Sequence, residues 1–436
     1  MKHTLTLFLG LCLCLVSRAQ SPYFPPLTGN TWETTDPATL GWCPEKIDTM
    51  LAFLEETDSK AFLVLKDGKI VIEHYFGTFT QDSLWYWASA GKTITSLLTG
   101  IAQENGALDI NQPSSTYMGT GWSSLTGPQE QAITVRHHLT MTTGLDDGVA
   151  DVDCTLPSCL SYLAAPGTRW AYHNAPYTLL DSIIHSATGS TLNAYTNQKL
   201  KSKTGMTGLW VKSGYNNVYV SNARSMARYG LLIQNRAIWN GQTVLGDTAY
   251  FNQMTNTSQN INPSYGYLWW LAGKSSFMIP QSQLVFNGSA MPAAPDDMVA
   301  ALGKNGQILN IVPSLGLVLV RMGNQPDNTS FYISNVYNSQ IWEYMNDLTC
   351  NGNASIPENK ATQTANIFPN PAQDVLYIGN DPSVLYDRIF VYDSQGREIM
   401  TFNNRSNINT SALQHGLYFL KAVSGSHTLS ASFVKE

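Results

Sequence analysis

Two β-hairpins, set toward opposite ends of a long helix-rich stretch, constrain this fold more than any other feature of the sequence. The first reads AFLVLK, Asp67-Gly68, KIVIEHYFG (61–77). Its turn pair tolerates positive φ and its flanks are rich in β-branched and aromatic residues. The second reads GQILNIV, PSLG, LVLVRMG (306–323). Helices are expected between and after them, over 89–105, 177–188, 223–234 and 330–346. The first of these places Ile94, Leu97, Leu98, Ile101 and Ala102 on one stripe, and Gly106 ends it. Strands at both ends with helices between predict an α+β fold: an antiparallel sheet flanked by helices, plus an all-α region.

The pattern changes after residue 350. Residues 351–365 are small and polar without hydrophobic period, which reads as a linker. From 366 to 436 short runs (VLYI, RIFVYD, GLYFLKAV, LSASFV) alternate with Asn, Asp, Gly and Ser turns, predicting a small C-terminal β-sandwich. With 43% hydrophobic and 13% charged residues the chain is globular rather than disordered. The net charge of -6, with no basic stripe, argues against nucleic acid as a partner.

Residues 1–19 read as a secretory signal peptide. Lys2 and His3 precede an apolar run from Leu5 to Val16, and Ser17-Arg18-Ala19 supplies small residues before a cut at Gln20. The run is too short to span a membrane, and no other segment of the chain reaches even its length. The body, 20–350, is therefore expected outside the cytoplasm, where disulfides persist. Its four cysteines allow three pairings. Cys154 and Cys159 enclose the loop TLPS, while Cys43 and Cys350 bracket the body, so those two pairs are expected. A metal site is the rival reading, but no C-x-x-C occurs, and His137 and His138 lie in an apolar, Thr-rich segment typical of packing.

Neither G-x-S-x-G nor H-E-x-x-H is present, and Gly91-Lys92-Thr93 fails as a phosphate loop because Tyr86 stands where its leading glycine belongs. The same segment, Ser89-Ala90-Gly91-Lys92, is S-x-x-K at a helix start, so hydroxyl and amine share one face. Serine needs a base, and a lysine buried against apolar neighbours can become one. Farther on, PGTRWAYHN sets Tyr172 and Asn174 two apart, pointing the same way if extended. Gly303-Lys304-Asn305-Gly306-Gln307 then opens the second hairpin, where glycines let a substrate backbone approach and an N–H could face that of Ser89. Taken singly, each element also reads as ordinary structure: a helix-start serine with a solvated lysine, a packed tyrosine, a turn. Trp122, Tyr265, Tyr267, Trp269 and Trp270 are expected mostly in the core.

Taken together, the three elements resemble the serine β-lactamase and penicillin-binding-protein superfamily over roughly residues 35–347. The likeness is strongest to its class C and esterase-like branch, which includes 6-aminohexanoate-dimer-hydrolase-like proteins. ITVRHHLTMTTGL and NNVYVSNARSMARYGLLIQNRAIWNGQTVL are also similar to segments of that family. The resemblance implies Ser89 as acylated nucleophile, Lys92 as its proton partner and Tyr172 as general base or acid. It further implies Asn174, Lys304, Gly306 and Gln307 as substrate-binding residues, with the N–H groups of Ser89 and Gln307 as oxyanion hole. No metal or organic cofactor is implied. Asn305 departs from the hydroxyl of K-T-G or K-S-G, which favours a small ester or amide substrate over a β-lactam or D-alanyl-D-alanine peptide; a non-catalytic binding protein is the remaining reading.

The C-terminal segment, with IFPNPAQDVLYI, RIFVYDSQGREI and NTSALQHGLYFLKAVSG, resembles the type A sorting domain of the type IX secretion system. That implies the type IX machinery as a partner and a secreted or cell-surface destination. A carbohydrate-binding or adhesive β-sandwich is the alternative.

Overall fold

The computed structural model describes residues 22–326, 333–350, 367–379, 384–393, 397–424 and 427–435. The expected signal peptide, the linker and the first residues of the 330–346 helix lie outside the described residues.

The first hairpin forms as read. Strands Ser59–Lys66 and Lys69–Tyr75 flank Asp67 (φ 49) and Gly68 (φ 86), the two left-handed positions a tight hairpin turn needs. The second hairpin joins Gln307–Val312 to Leu317–Gly323 through a 3-10 turn at Pro313–Leu315. Both belong to one six-stranded antiparallel sheet. Its order is Lys69–Tyr75, Ser59–Lys66, Leu317–Gly323, Gln307–Val312, Val299–Gly303, Trp270–Leu271.

Side-chain alternation gives the sheet two buried faces. The helix Ala223–Gln234 packs on one of them, and Gly230 makes this close: a Cβ there would lie 2.7 Å from Leu309 Cδ1. Pro44–Glu56 and Asn335–Asn346 pack against each other by the stacked rings of Phe53 and Tyr344, and a reciprocal amide pair, Asn310 with Asn338 (2.6 and 2.9 Å), ties the last helix to the sheet. The helices of the 92–204 region form the all-α part, with Lys92–Glu104 packed on Asn174–Thr188. Trp122, Tyr265, Tyr267, Trp269 and Trp270 are all buried.

The expected disulfides, Cys43–Cys350 and Cys154–Cys159, are both formed. His137 and His138 are packing residues. His137 Nδ1 accepts the Thr134 N–H (3.0 Å), while His138 bridges Ser114 (2.9 Å) and the Pro176 carbonyl (2.7 Å).

The C-terminal region, described by itself, is a three-stranded and a four-stranded sheet around one small core that includes Leu376, Ile389, Ile408, Leu420 and Phe433. No helix among the described residues is long and apolar enough to cross a membrane.

Candidate active site

The 89–105 segment departs from a single helix in a way that matters. Ala88–Gly91 is a 3-10 turn, and the α-helix begins only at Lys92. Trp87 anchors the turn. Its backbone N–H donates to Tyr219 O (2.8 Å), its indole donates to Ser221 Oγ (2.8 Å), and its ring meets Tyr219 edge-on. Ala88 is held at φ 47, a left-handed conformation costly for a residue with a Cβ. The result is a half-buried Ser89 presented on a rigid elbow.

Lys92 Nζ donates to Ser89 Oγ at 2.8 Å. The lysine is only 4% exposed, and burial pushes its pKa down to about 7 against the opposing charges of Asp153 and Asp181. Two rings face its ammonium: Tyr177 at 4.3 Å and Tyr172 at 5.2 Å from Nζ to centroid. A buried amine near neutrality beside a serine hydroxyl is what a general base requires.

Tyr172 stacks on Trp270 (5.8 Å) and meets Tyr265 edge-on (6.2 Å), so its ring is fixed by core aromatics. Burial raises its phenol, and a hydrogen bond with Ser89 opposes the rise. The structure therefore brings Ser89, Lys92 and Tyr172 together. Asn174 does not continue an extended run with Tyr172; it starts the Asn174–Thr188 helix, three residues earlier than the expected start at Tyr177. Pro176 fits the first helical turn because no N–H is needed there. Asn174 Oδ1 is buried without a hydrogen-bond partner beside this helix start.

The third element divides. A Cβ on Gly303 would press on Trp87 O and lie 3.1 Å from Ala90 N, so the end of strand Val299–Gly303 abuts the serine turn, and Lys304 beyond it is exposed. Asn305 donates to Tyr86 Oη (2.7 Å). The Gly306 N–H donates to Ser334 Oγ (3.0 Å), and Gln307 is fully buried with its amide donating to Gly323 O (2.6 Å). The Gly306 N–H and the Gln307 side chain pin the hairpin, and the chain turns inward after Asn305 (φ 65).

Two residues escaped the sequence reading. Arg321 is fully buried beneath the third element and donates to Asn305 O (2.8 Å), Gly306 O (3.0 Å), Asn324 O (2.9 Å), Thr57 O (2.7 Å) and Ser59 Oγ (2.9 Å). A lone charge in the strand LVLVRMG was its visible signal. Asp181, on the buried face of the Asn174–Thr188 helix, is the second. Among the described residues no three His, Cys, Asp or Glu side chains converge as a metal site.

A family profile described as Beta-lactamase matches residues 54–339, and one described as Secretion system C-terminal sorting domain matches residues 366–436. An uncharacterized protein of Alkalihalophilus pseudofirmus is 24% identical over 309 residues, 62% of this chain and 85% of its own length. A candidate 6-aminohexanoate-dimer hydrolase from Bacillus anthracis has a similar fold (TM-score 0.54, 19% identity, 68% of this chain and 81% of that one). So does a candidate β-lactamase from Bacteroides dorei (TM-score 0.55, 17% identity, 71% and 99%).

Proposed function

Because the chain belongs to the beta-lactamase family, we propose that it is an exported serine hydrolase that cleaves an ester or amide bond through an acyl-enzyme on Ser89. The observation that carries this reading is the 2.8 Å hydrogen bond from a buried, easily neutralised Lys92 to Ser89 Oγ. In the neutral form Lys92 accepts the Ser89 proton as Oγ bonds to the carbonyl carbon. Tyr172, held against Trp270, passes a proton to the leaving group and regains one from the Lys92 ammonium beside it. The N–H groups of Ser89 and Gln307 are the proposed oxyanion donors, next to the strand end at Gly303 that abuts the serine turn. Water then releases the acyl group.

A small or oligomeric ester or amide suits the site better than a β-lactam or D-alanyl-D-alanine peptide. Asn305 replaces the hydroxyl that would take a β-lactam carboxylate, and its amide already engages Tyr86. Residues 1–19 serve as signal peptide, 20–350 as hydrolase, 351–365 as linker and 366–436 as the sorting domain that hands the protein to the type IX machinery for release or surface attachment.

A fluorophosphonate should label the protein but not Ser89→Ala. Intact mass after brief exposure to p-nitrophenyl butyrate, an aminohexanoate dimer and a penicillin then separates the substrates. Turnover without a lasting penicillin adduct supports the esterase or amidase reading, and a persistent penicilloyl adduct on Ser89 moves it to the penicillin-binding branch. Absence of any label or turnover defeats the catalytic reading.

A further inference from the structure

A buried lysine ordinarily has a carboxylate in contact, and Lys92 has none: its near neighbours are Ser89 Oγ and the two tyrosine rings. The negative charges that act on it stand farther off, Asp153 on the loop before the Cys154–Cys159 bridge and Asp181 on the helix Asn174–Thr188. Asp181 follows Tyr177 by four residues, so both lie on one stripe of that helix, which packs on Lys92–Glu104. The carboxyl is 8% exposed. Its Oδ2 accepts from Asn217 Nδ2 at 2.7 Å, while Oδ1 is buried without a partner.

Such an arrangement is poor for stability, because a buried carboxyl loses more hydration than one amide and the neighbouring Thr95 hydroxyl return. It is well suited to answering a change of charge nearby. We infer that Asp181, fixed by Asn217, is a positioning residue for Lys92, holding a carboxyl across the helix pair where it stabilises the ammonium formed when Ser89 gives up its proton. The inference rests on the proposed role of Lys92 as proton partner of Ser89.

The charge inventory around the pair is small. Lys92 faces Asp153, Asp181, Tyr172 and Tyr177, and Asp181 faces Lys92, Lys212 and Tyr177 together with the Asn217 amide and the Thr95 hydroxyl. The tyrosines are kept neutral by burial. Burial pushes Lys92 down and Asp181 up, each to about 7, so the two share one range and a proton gained by one alters the other. During attack Oγ bonds to the acyl carbon, the carbonyl π pair moves onto its oxygen, the Ser89 O–H bond breaks and its proton moves to Nζ. No further reactant is involved.

The test is the second-order rate of Ser89 labelling by a fluorophosphonate, followed across the neutral pH range in the full chain. Asp181→Asn removes the charge and keeps the shape. Lys92 should then lose its proton more easily, moving the acid limb down by roughly half a pH unit or more, while the plateau rate falls severalfold because the amine is a weaker base. Asn217→Ala, at a half-buried position, should shift the limb the same way by less, and it carries the test if Asp181→Asn fails to fold. A purely structural role would lower the melting temperature and leave the limb in place. An unmoved limb in the folded variants overturns the inference and leaves the serine reading standing. Failure of the wild type to label at any pH overturns both.

Discussion

Replacing Arg321 with methionine should uncouple the third element from the rest of the sheet. The guanidinium is 0% exposed and gives five hydrogen bonds, four to backbone carbonyls on three separate segments. Methionine fills a similar volume but leaves those acceptors empty. Each buried acceptor left unpaired costs about 1–3 kcal/mol. Carbonyls near the surface, those of Thr57 and Asn324, regain water, and relief from burying a cation returns part of the loss. The net expectation is about 3 kcal/mol. Urea unfolding should show it as a lowered midpoint at unchanged slope. Ser89 labelling should slow by about tenfold or more, since the Gly303–Lys304 strand end loses its support beside the serine turn. Arg321→Lys should recover no more than about half, because three ammonium donors cannot serve five acceptors. A loss below about 1 kcal/mol with labelling unchanged would refute the reasoning.

Further outcomes follow from the same contacts. Lys92 sits near 7 because burial disfavours its charged form, so kcat/KM should rise with pH through about 7 and then level off; a limb near the ordinary carboxylate range would reject Lys92 as the base. Asp181 is raised to about 7 by burial, so the folded protein takes up a proton there that the unfolded chain lacks. Wild type should therefore lose stability relative to Asp181→Asn as pH rises from about 4 to 7, by up to roughly 3 kcal/mol, and melting curves that stay parallel across that window would count against it. Gly306→Ala places a Cβ 2.5 Å from Arg321 Nη1 at a φ of 72, and should cost about 2 kcal/mol or more in denaturant unfolding. Serine at both Cys43 and Cys350 opens a loop of sequence separation 307, and loop entropy sets the loss at about 6 kcal/mol, measurable by thermal unfolding of the folded variant.

What could be read directly from the sequence was whatever local patterning controls. The Asp67-Gly68 turn, the helix Ala223–Gln234 and both cysteine pairs follow from turn chemistry, apolar spacing and the bracketing of the body. Ser89, Lys92 and Tyr172 could be marked because their order is a motif. The 3-10 elbow could not, since Trp87 makes it by reaching Tyr219 and Ser221 on a distant strand. The Gln307 amide finds Gly323 across the sheet for the same reason, a contact that spacing does not encode. Arg321 and Asp181 were visible as single charges in apolar runs, and a charge in such a run signals a buried polar partner.

The Cys43–Cys350 bond closes residues 43–350 into one covalent ring. Tension arriving at Cys350 crosses the sulfur bridge to Cys43 and the N-terminal arm, whose backbone is hydrogen-bonded to the first hairpin at Asp67 and Ile70. The covalent line leaves out 44–349, and the arm's hydrogen bonds are where load passes into the sheet. A pull from the C-terminal side is therefore borne by the sulfur bridge and the edge of the sheet before it can reach the serine elbow.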